Sequence, residues 1–146
     1  MVIGLDTNIL CYSLDPAYPE HEKLRNILLE LSPENRVAIN PSILHETYHT
    51  LVFGQKFVAS EARRRLQLLL QHPYIDFYNQ TRRICLIAMS LAVKHGLGGR
   101  DAVIIANFIG NKVPKMYTHD QDLLSLKRIT WKTTVIDFKD PLAKET

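Results

Sequence analysis

Cysteine is scarce in this chain, which has only Cys11 and Cys85 among 146 residues. Neither has a second cysteine at metal-ligand spacing, so the sequence offers no cysteine-built zinc centre and no disulfide framework. Two reduced thiols in a cytoplasmic protein are the expectation. Long apolar runs are also lacking: none approaches the ~18–20 residues a membrane span needs. The opening Met1-Val2-Ile3-Gly4-Leu5-Asp6 has no basic stretch and reaches an acid at once, which reads as a first strand rather than a signal peptide. There is no G-x-S-x-G elbow, no CxxC pair, and no glycine loop of the P-loop or dinucleotide kind. Side-chain nucleophiles of the common types and nucleotide cradles are thereby set aside. Internal repeats, low-complexity tracts and linkers are missing as well, which leaves one domain over residues 1–140 and a polar tail, 141–146, expected to fray.

What is present is globular in balance: 46% hydrophobic and 23% charged residues, a formal charge of +3 and a pI near 8.9. The mild basicity is compatible with a polyanionic partner without requiring one. Strand-like and helix-like patterns alternate. Val2 to Leu5 reads as a strand, with a helix from about Asn8. Leu24, Ile27, Leu28 and Leu31 recur at i, i+3, i+4, i+7 and predict a helix over roughly Glu20 to Leu31. Val37-Ala38-Ile39 follows as a strand, and Asn40-Pro41 supplies an N-cap and a first-turn proline for a helix to about Phe53. Ser60 is the expected cap of a helix to Gln71. A strand near Ile75 to Tyr78 comes next, then a helix from Thr81 to His95 that Gly96 can close. Asp101 opens another helix after Gly98-Gly99. Val113 to Tyr117 and Thr134 to Phe138 read as strands around a short helix from Asp122 to Leu126. Such alternation predicts an α/β domain with a parallel sheet and helices on both faces.

Four acids stand out by position. Asp6 and Asp120 lie just past the ends of predicted strands, where parallel sheets bind ligands. Asp101 begins a helix after a glycine pair, and Glu46 sits on an otherwise apolar helical segment. Clustered carboxylates repel and raise one another's pKa. A hard divalent cation such as Mg²⁺ or Mn²⁺ removes that conflict and can assist hydrolysis of a phosphodiester. Each acid also has a plainer explanation: Asp6, Asp101 and Asp120 are all placed to cap or complement helix N-termini. Glu46 has no such role, and an acid among Leu44, Thr47 and Tyr48 needs a partner if buried.

Leu5-Asp6-Thr7-Asn8-Ile9-Leu10 resembles the opening motif of PIN-domain proteins, in particular VapC-type toxins. Pro41 to Glu46, Gly99-Arg100-Asp101-Ala102 and Tyr117-Thr118-His119-Asp120-Gln121-Asp122-Leu123 resemble the later landmarks, in order, over residues 2 to 138. The resemblance implies a three-layer α/β/α fold and an endoribonuclease in which Asp6, Glu46, Asp101 and Asp120 bind one or two Mg²⁺ or Mn²⁺ ions. It implies that Thr7, Asn8 and Thr118 orient the acids or water, and that Asp122 is a further, outer acid. It also implies a homodimer and, for toxin members, an antitoxin partner. Leu123 stands where phenylalanine is common in the family, a difference of packing.

His45-Glu46-Thr47-Tyr48-His49 matches HExxH, whose two histidines can share a helix face and bind zinc with the glutamate as base. The extended zincin pattern fails, because Val52 and Gln55 occupy its glycine and histidine positions. A non-catalytic PIN-type binding module is the other alternative. For RNA phosphates, Arg100 is the first candidate contact, followed by Arg63-Arg64-Arg65, Lys94, Lys112 and Lys115. Tyr12, Tyr48 and Tyr117 are candidates for base stacking or, more simply, for the core.

Overall fold

The computed structural model describes residues 1–143. Six strands form one sheet in the order β3-β2-β1-β4-β6-β5. β1 (Val2–Leu5), β2 (Arg36–Ile39), β3 (Ile75–Phe77), β4 (Lys115–Tyr117) and β6 (Thr134–Lys139) are parallel, and β5 (Arg128–Trp131) joins β6 antiparallel at the edge. Helices α1 (Thr7–Leu14), α2 (His21–Leu24), α3 (Asn26–Leu29), α4 (Pro41–His49) and α5 (Ala59–Gln71) fill the first crossovers. The long return from β3 to β4 carries α6 (Arg82–His95) and α7 (Gly99–Gly110), which pack along each other, and α8 (Gln121–Leu126) follows β4. The expected α/β class, a mostly parallel sheet flanked by helices, is thus what the chain adopts. Among the described residues no helix is long and apolar enough to cross a membrane.

The central strands are nearly all apolar because helices must cover them. Leu5, Ala38, Ile39 and Met116 are buried, as are Ile9 and Leu10 of α1 and Ile104, Ile105 and Phe108 of α7. Gly4 is needed where α7 meets β1, since a Cβ there would stand 2.8 Å from the Phe108 ring. Local signals closed several elements as expected. Asn40 Oδ1 accepts from the Ile43 N–H, Thr81 accepts from the Ile84 N–H, and Gly96 ends α6 at φ +66°.

Four expectations need correction. The helix over 20–31 is two short pieces that meet at Arg25, with only Leu24 of its apolar stripe fully buried. Ser60 is not a cap: α5 starts one residue earlier, from Val58, without a side-chain cap. Asp101 does not open α7, which begins at Gly99 and places Asp101 in its first turn. Beyond His49 the helix widens into a π turn, Thr50–Gly54. β5 was not anticipated; its Arg-Ile-Thr-Trp alternation is real, but it is only four residues long and one of its faces is solvated. Of the tail, Leu142 N–H donates to Asp140 Oδ1 and its side chain packs on the core, while residues 144–146 lie outside the described part.

Candidate active site

Parallel strands β1 and β4 are neighbours, so the residues that follow them emerge side by side at the C-terminal edge of the sheet. Asp6 and Thr118 are those residues. The Thr118 hydroxyl donates to Asp6 Oδ2 at 2.8 Å, and Asp6 Oδ1 accepts from the Thr7 N–H at 2.8 Å. Thr118 Oγ1 also accepts from the Asp120 N–H at 3.1 Å. One fully buried threonine therefore ties two acids of the expected set to each other. Asp6 caps α1 and Asp120 caps α8, where its Oδ1 accepts from the Asp122 and Leu123 N–H groups. The capping explanations are correct as far as they go, and for Asp6 incomplete. It is 7% exposed, and its carboxyl has a pKa raised above the ordinary value. Burial is the main cause, opposed by the Thr118 and Thr7 hydrogen bonds and Arg100, and assisted by the charge of Asp120.

The third and fourth acids arrive through Arg100. Its Nη1 pairs with Asp101 Oδ1 at 2.6 Å, its Nε pairs with Glu46 Oε2, and its Nη2 lies 3.8 Å from Asp6 Oδ1 and 3.3 Å from Thr7 Oγ1. One guanidinium thus gathers carboxylates from the N-cap of α1, from α4 and from α7. Glu46 has the partner that its apolar surroundings demanded. Burial raises the pKa of Asp101 above its ordinary value; Arg100 opposes this, while Asp120 and Asp6 add to it. Partial burial works against the charge on Arg100, but the Glu46 hydrogen bond and the charges of Glu46, Asp6 and Asp101 outweigh it and raise its pKa.

Hard oxygen donors of this kind suit Mg²⁺ or Mn²⁺. Burial and, to a smaller degree, neighbouring carboxylates disfavour the charged forms of Asp6 and Asp101, and Arg100 opposes both effects. With the guanidinium between them, no three of the acids lie close enough to share an ion among the described residues. The donor chemistry fits a divalent cation, and in the present arrangement Arg100 lies among the carboxylates.

The other expected residues divide clearly. The Thr118 hydroxyl and the Thr7 backbone N–H both donate to Asp6, while the Thr7 hydroxyl accepts from Arg100. Asn8 and Asp122 are exposed, and Asp122 meets the cluster only through its backbone N–H to Asp120. In the HExxH segment, His45 and His49 face outward while Glu46 turns to Arg100. His49 lies 5.0 Å from the Phe53 ring. In the arginine run, Arg64 and Arg65 are held by Glu61, and Arg65 lies over Phe57. Arg63 instead lines an apolar cavity of about 540 Å³ between α4 and α5 that contains none of the four acids. Lys94 and Lys112 are exposed and Lys115 is half-buried, while Tyr12, Tyr48 and Tyr117 pack against the core. Sequence reasoning placed Arg100 as a phosphate contact and missed its bridging of the acids. The signal was its adjacency to Asp101, but nothing local in the chain brings Glu46 within its reach.

A PIN domain family model matches residues 3–130. No curated protein matches the chain in sequence. Among solved structures, the chain resembles Mycobacterium tuberculosis VapC20, described as a sarcin-ricin loop cleaving toxin, at TM-score 0.69 and 16% identity over 85% of this chain and 94% of that one. It resembles VapBC2 from Rickettsia felis, solved with a promoter DNA fragment, at TM-score 0.67 and 16% identity over 96% and 100%. VapBC-1 from nontypeable Haemophilus influenzae matches at TM-score 0.63 and 18% identity over 98% and 100%. At these identities the structural likeness speaks for the fold, and the family model spans most of the sequence: the chain belongs to the PIN domain family.

Proposed function

We propose that the protein is a metal-dependent endoribonuclease that hydrolyses RNA phosphodiester bonds, and that it is the toxin of a toxin–antitoxin pair. The observation that carries this reading is the gathering of Asp6, Glu46 and Asp101 around one cation at the C-terminal edge of a parallel sheet, with Asp120 tied to Asp6 through Thr118. Membership of the PIN family supports it, as does a fold shared with VapC20 and the VapBC toxins.

In this reading Asp6, Glu46, Asp101 and Asp120 hold one or two Mg²⁺ or Mn²⁺ ions, which supply Lewis-acid activation of water and phosphoryl oxygen. Thr118 and the Thr7 N–H fix the Asp6 carboxylate so that its remaining lone pairs face the cluster. Arg100 contacts the RNA backbone, where a guanidinium can engage two phosphate oxygens at once. The protein acts in the cytoplasm as a homodimer, and a small antitoxin blocks the site.

The decisive experiment is cleavage of a mixed pool of structured RNAs by purified protein with Mg²⁺, Mn²⁺ or EDTA. Metal-dependent cleavage that Asp6→Asn abolishes and a His45→Ala/His49→Ala variant retains is expected. Cleavage that survives EDTA, or that Asp6→Asn leaves intact, would sink the proposal.

A further inference from the structure

We infer that Arg100 occupies the divalent cation's position in the metal-free protein and vacates it when the ion enters, so that guanidinium and ion exchange at the same carboxylates. The inference rests on the nuclease reading and adds to it a competitor carried by the chain itself.

Arg100 satisfies the geometric requirements of a counter-ion in residence. It pairs with Asp101 and Glu46, reaches toward Asp6, and is a donor to the Thr7 hydroxyl. An arginine that merely pinned α7 to α4 would need only Glu46. This one draws on three acids, from elements that no other ion pair joins among the described residues. It meets those three carboxylates with a single positive charge.

A divalent ion brings twice the charge in a far smaller volume, with oxygen ligands at about 2.0–2.2 Å. Those ligands are the carboxylate oxygens that the Arg100 N–H groups now hold. A planar guanidinium and an ion cannot both lie among them, so entry of one displaces the other. The side chain is free to leave. It is 49% exposed. Once released, its donors are available to a phosphate. The same side chain therefore serves as counter-ion before metal binding and as backbone contact afterwards, which makes metal occupancy a condition for Arg100 to engage RNA.

The test is titration of Mn²⁺ into the metal-free full-length protein by calorimetry, for the parent chain, Arg100→Gln and Arg100→Lys. Circular dichroism verifies the fold, and the lysine variant carries the comparison if the glutamine one does not fold. Exchange predicts that Arg100→Gln binds Mn²⁺ about tenfold more tightly, the scale of three partly exposed ion pairs no longer in competition, with Arg100→Lys in between. It also predicts that metal-free Arg100→Gln melts at a lower temperature and that Mn²⁺ raises it more than it raises the parent. Equal or weaker Mn²⁺ binding by the variants overturns the exchange while leaving the nuclease reading intact. If neither the parent nor the variants bind Mn²⁺, the metal-dependent reading of the site falls, and the exchange with it.

Discussion

The middle of the sheet and its C-terminal edge are built by opposite rules. Around Gly4 and Phe108 everything is apolar and closely fitted, so each atom there adds to stability and carries no chemistry. Just past the ends of the same strands, Asp6 and Asp120 stand close enough to Asp101 of α7 to repel. The first region holds the second in place, and the strain of like charges is confined to the edge. Shrinking a side chain in the core should therefore lower stability, whereas neutralising an acid at the edge should raise it.

The largest expected effect lies in the core. Phe108→Ala should cost about 3–5 kcal/mol, the usual range for emptying a buried aromatic site, as measured by urea unfolding. Gly4→Ala should destabilise by about 1–3 kcal/mol through overpacking, and Gly4→Ala combined with Phe108→Leu should recover part of that loss. Failure of the pair to couple would mean that the close approach is not what excludes a side chain at position 4.

Asn40 tests the boundary between the regions. It is fully buried and its carboxamide caps the helix that presents Glu46. Asn40→Ala should cost about 1–2 kcal/mol and should lower RNA cleavage while Asn40→Asp, which keeps a capping oxygen, retains more of the stability.

Asp120→Asn should go the other way. Asparagine caps a helix as well as aspartate does, and its neutrality relieves Asp6 and Asp101 of a repelling neighbour. Metal-free stability at neutral pH should rise by about 0.5 kcal/mol while cleavage is lost. A drop in stability would mean that Asp120 is chiefly structural.

The pH dependence separates the edge from helix α5. Asp6 and Asp101 have folded pKa values above their ordinary ones, so the folded chain binds their protons more tightly than the unfolded chain does. Their contribution to stability is present below the ordinary value near 3.8 and is lost as pH rises through the folded pKa. Glu61, held to about 2 by hydrogen bonds from Arg64 and Arg65, behaves in reverse: its contribution is present above its ordinary 4.5 and is lost as pH falls toward 2. Asp101→Asn should therefore make metal-free stability less dependent on pH just above 4, and Glu61→Gln should do so below it. The smallest signal concerns the thiols. Cys85 is exposed, while burial pushes Cys11 up to about 12, so a thiol reagent at pH 8 should modify one cysteine in the native protein and two in denaturant.

Elements with strong local signals could be read from the chain. Asn40-Pro41, Thr81 and Gly96 each close a helix end by a bond between near neighbours. Strands flanked by turns and filled with Val, Ile and Leu were equally plain. The break at Arg25, the π turn after His49 and the edge strand β5 were not, because tertiary packing decides them and the residues themselves tolerate several conformations. The acids followed the same division. Asp6 and Asp120 are legible from strand ends, whereas the meeting of Arg100 with Glu46 spans 54 positions and exists only in the folded chain.

The hydrogen bond from Thr118 to Asp6 joins residues 112 positions apart. Synthesis on a ribosome delivers Asp6 long before Thr118. Until β4 and the turn beyond it have emerged from the exit tunnel, Asp6 has no hydroxyl to hold it and Asp120 has not yet joined the cluster. A chain interrupted before that point lacks the hydroxyl that holds Asp6 and the backbone N–H of Asp120 that meets it, so the centre is assembled only after β4 and the turn beyond it are made.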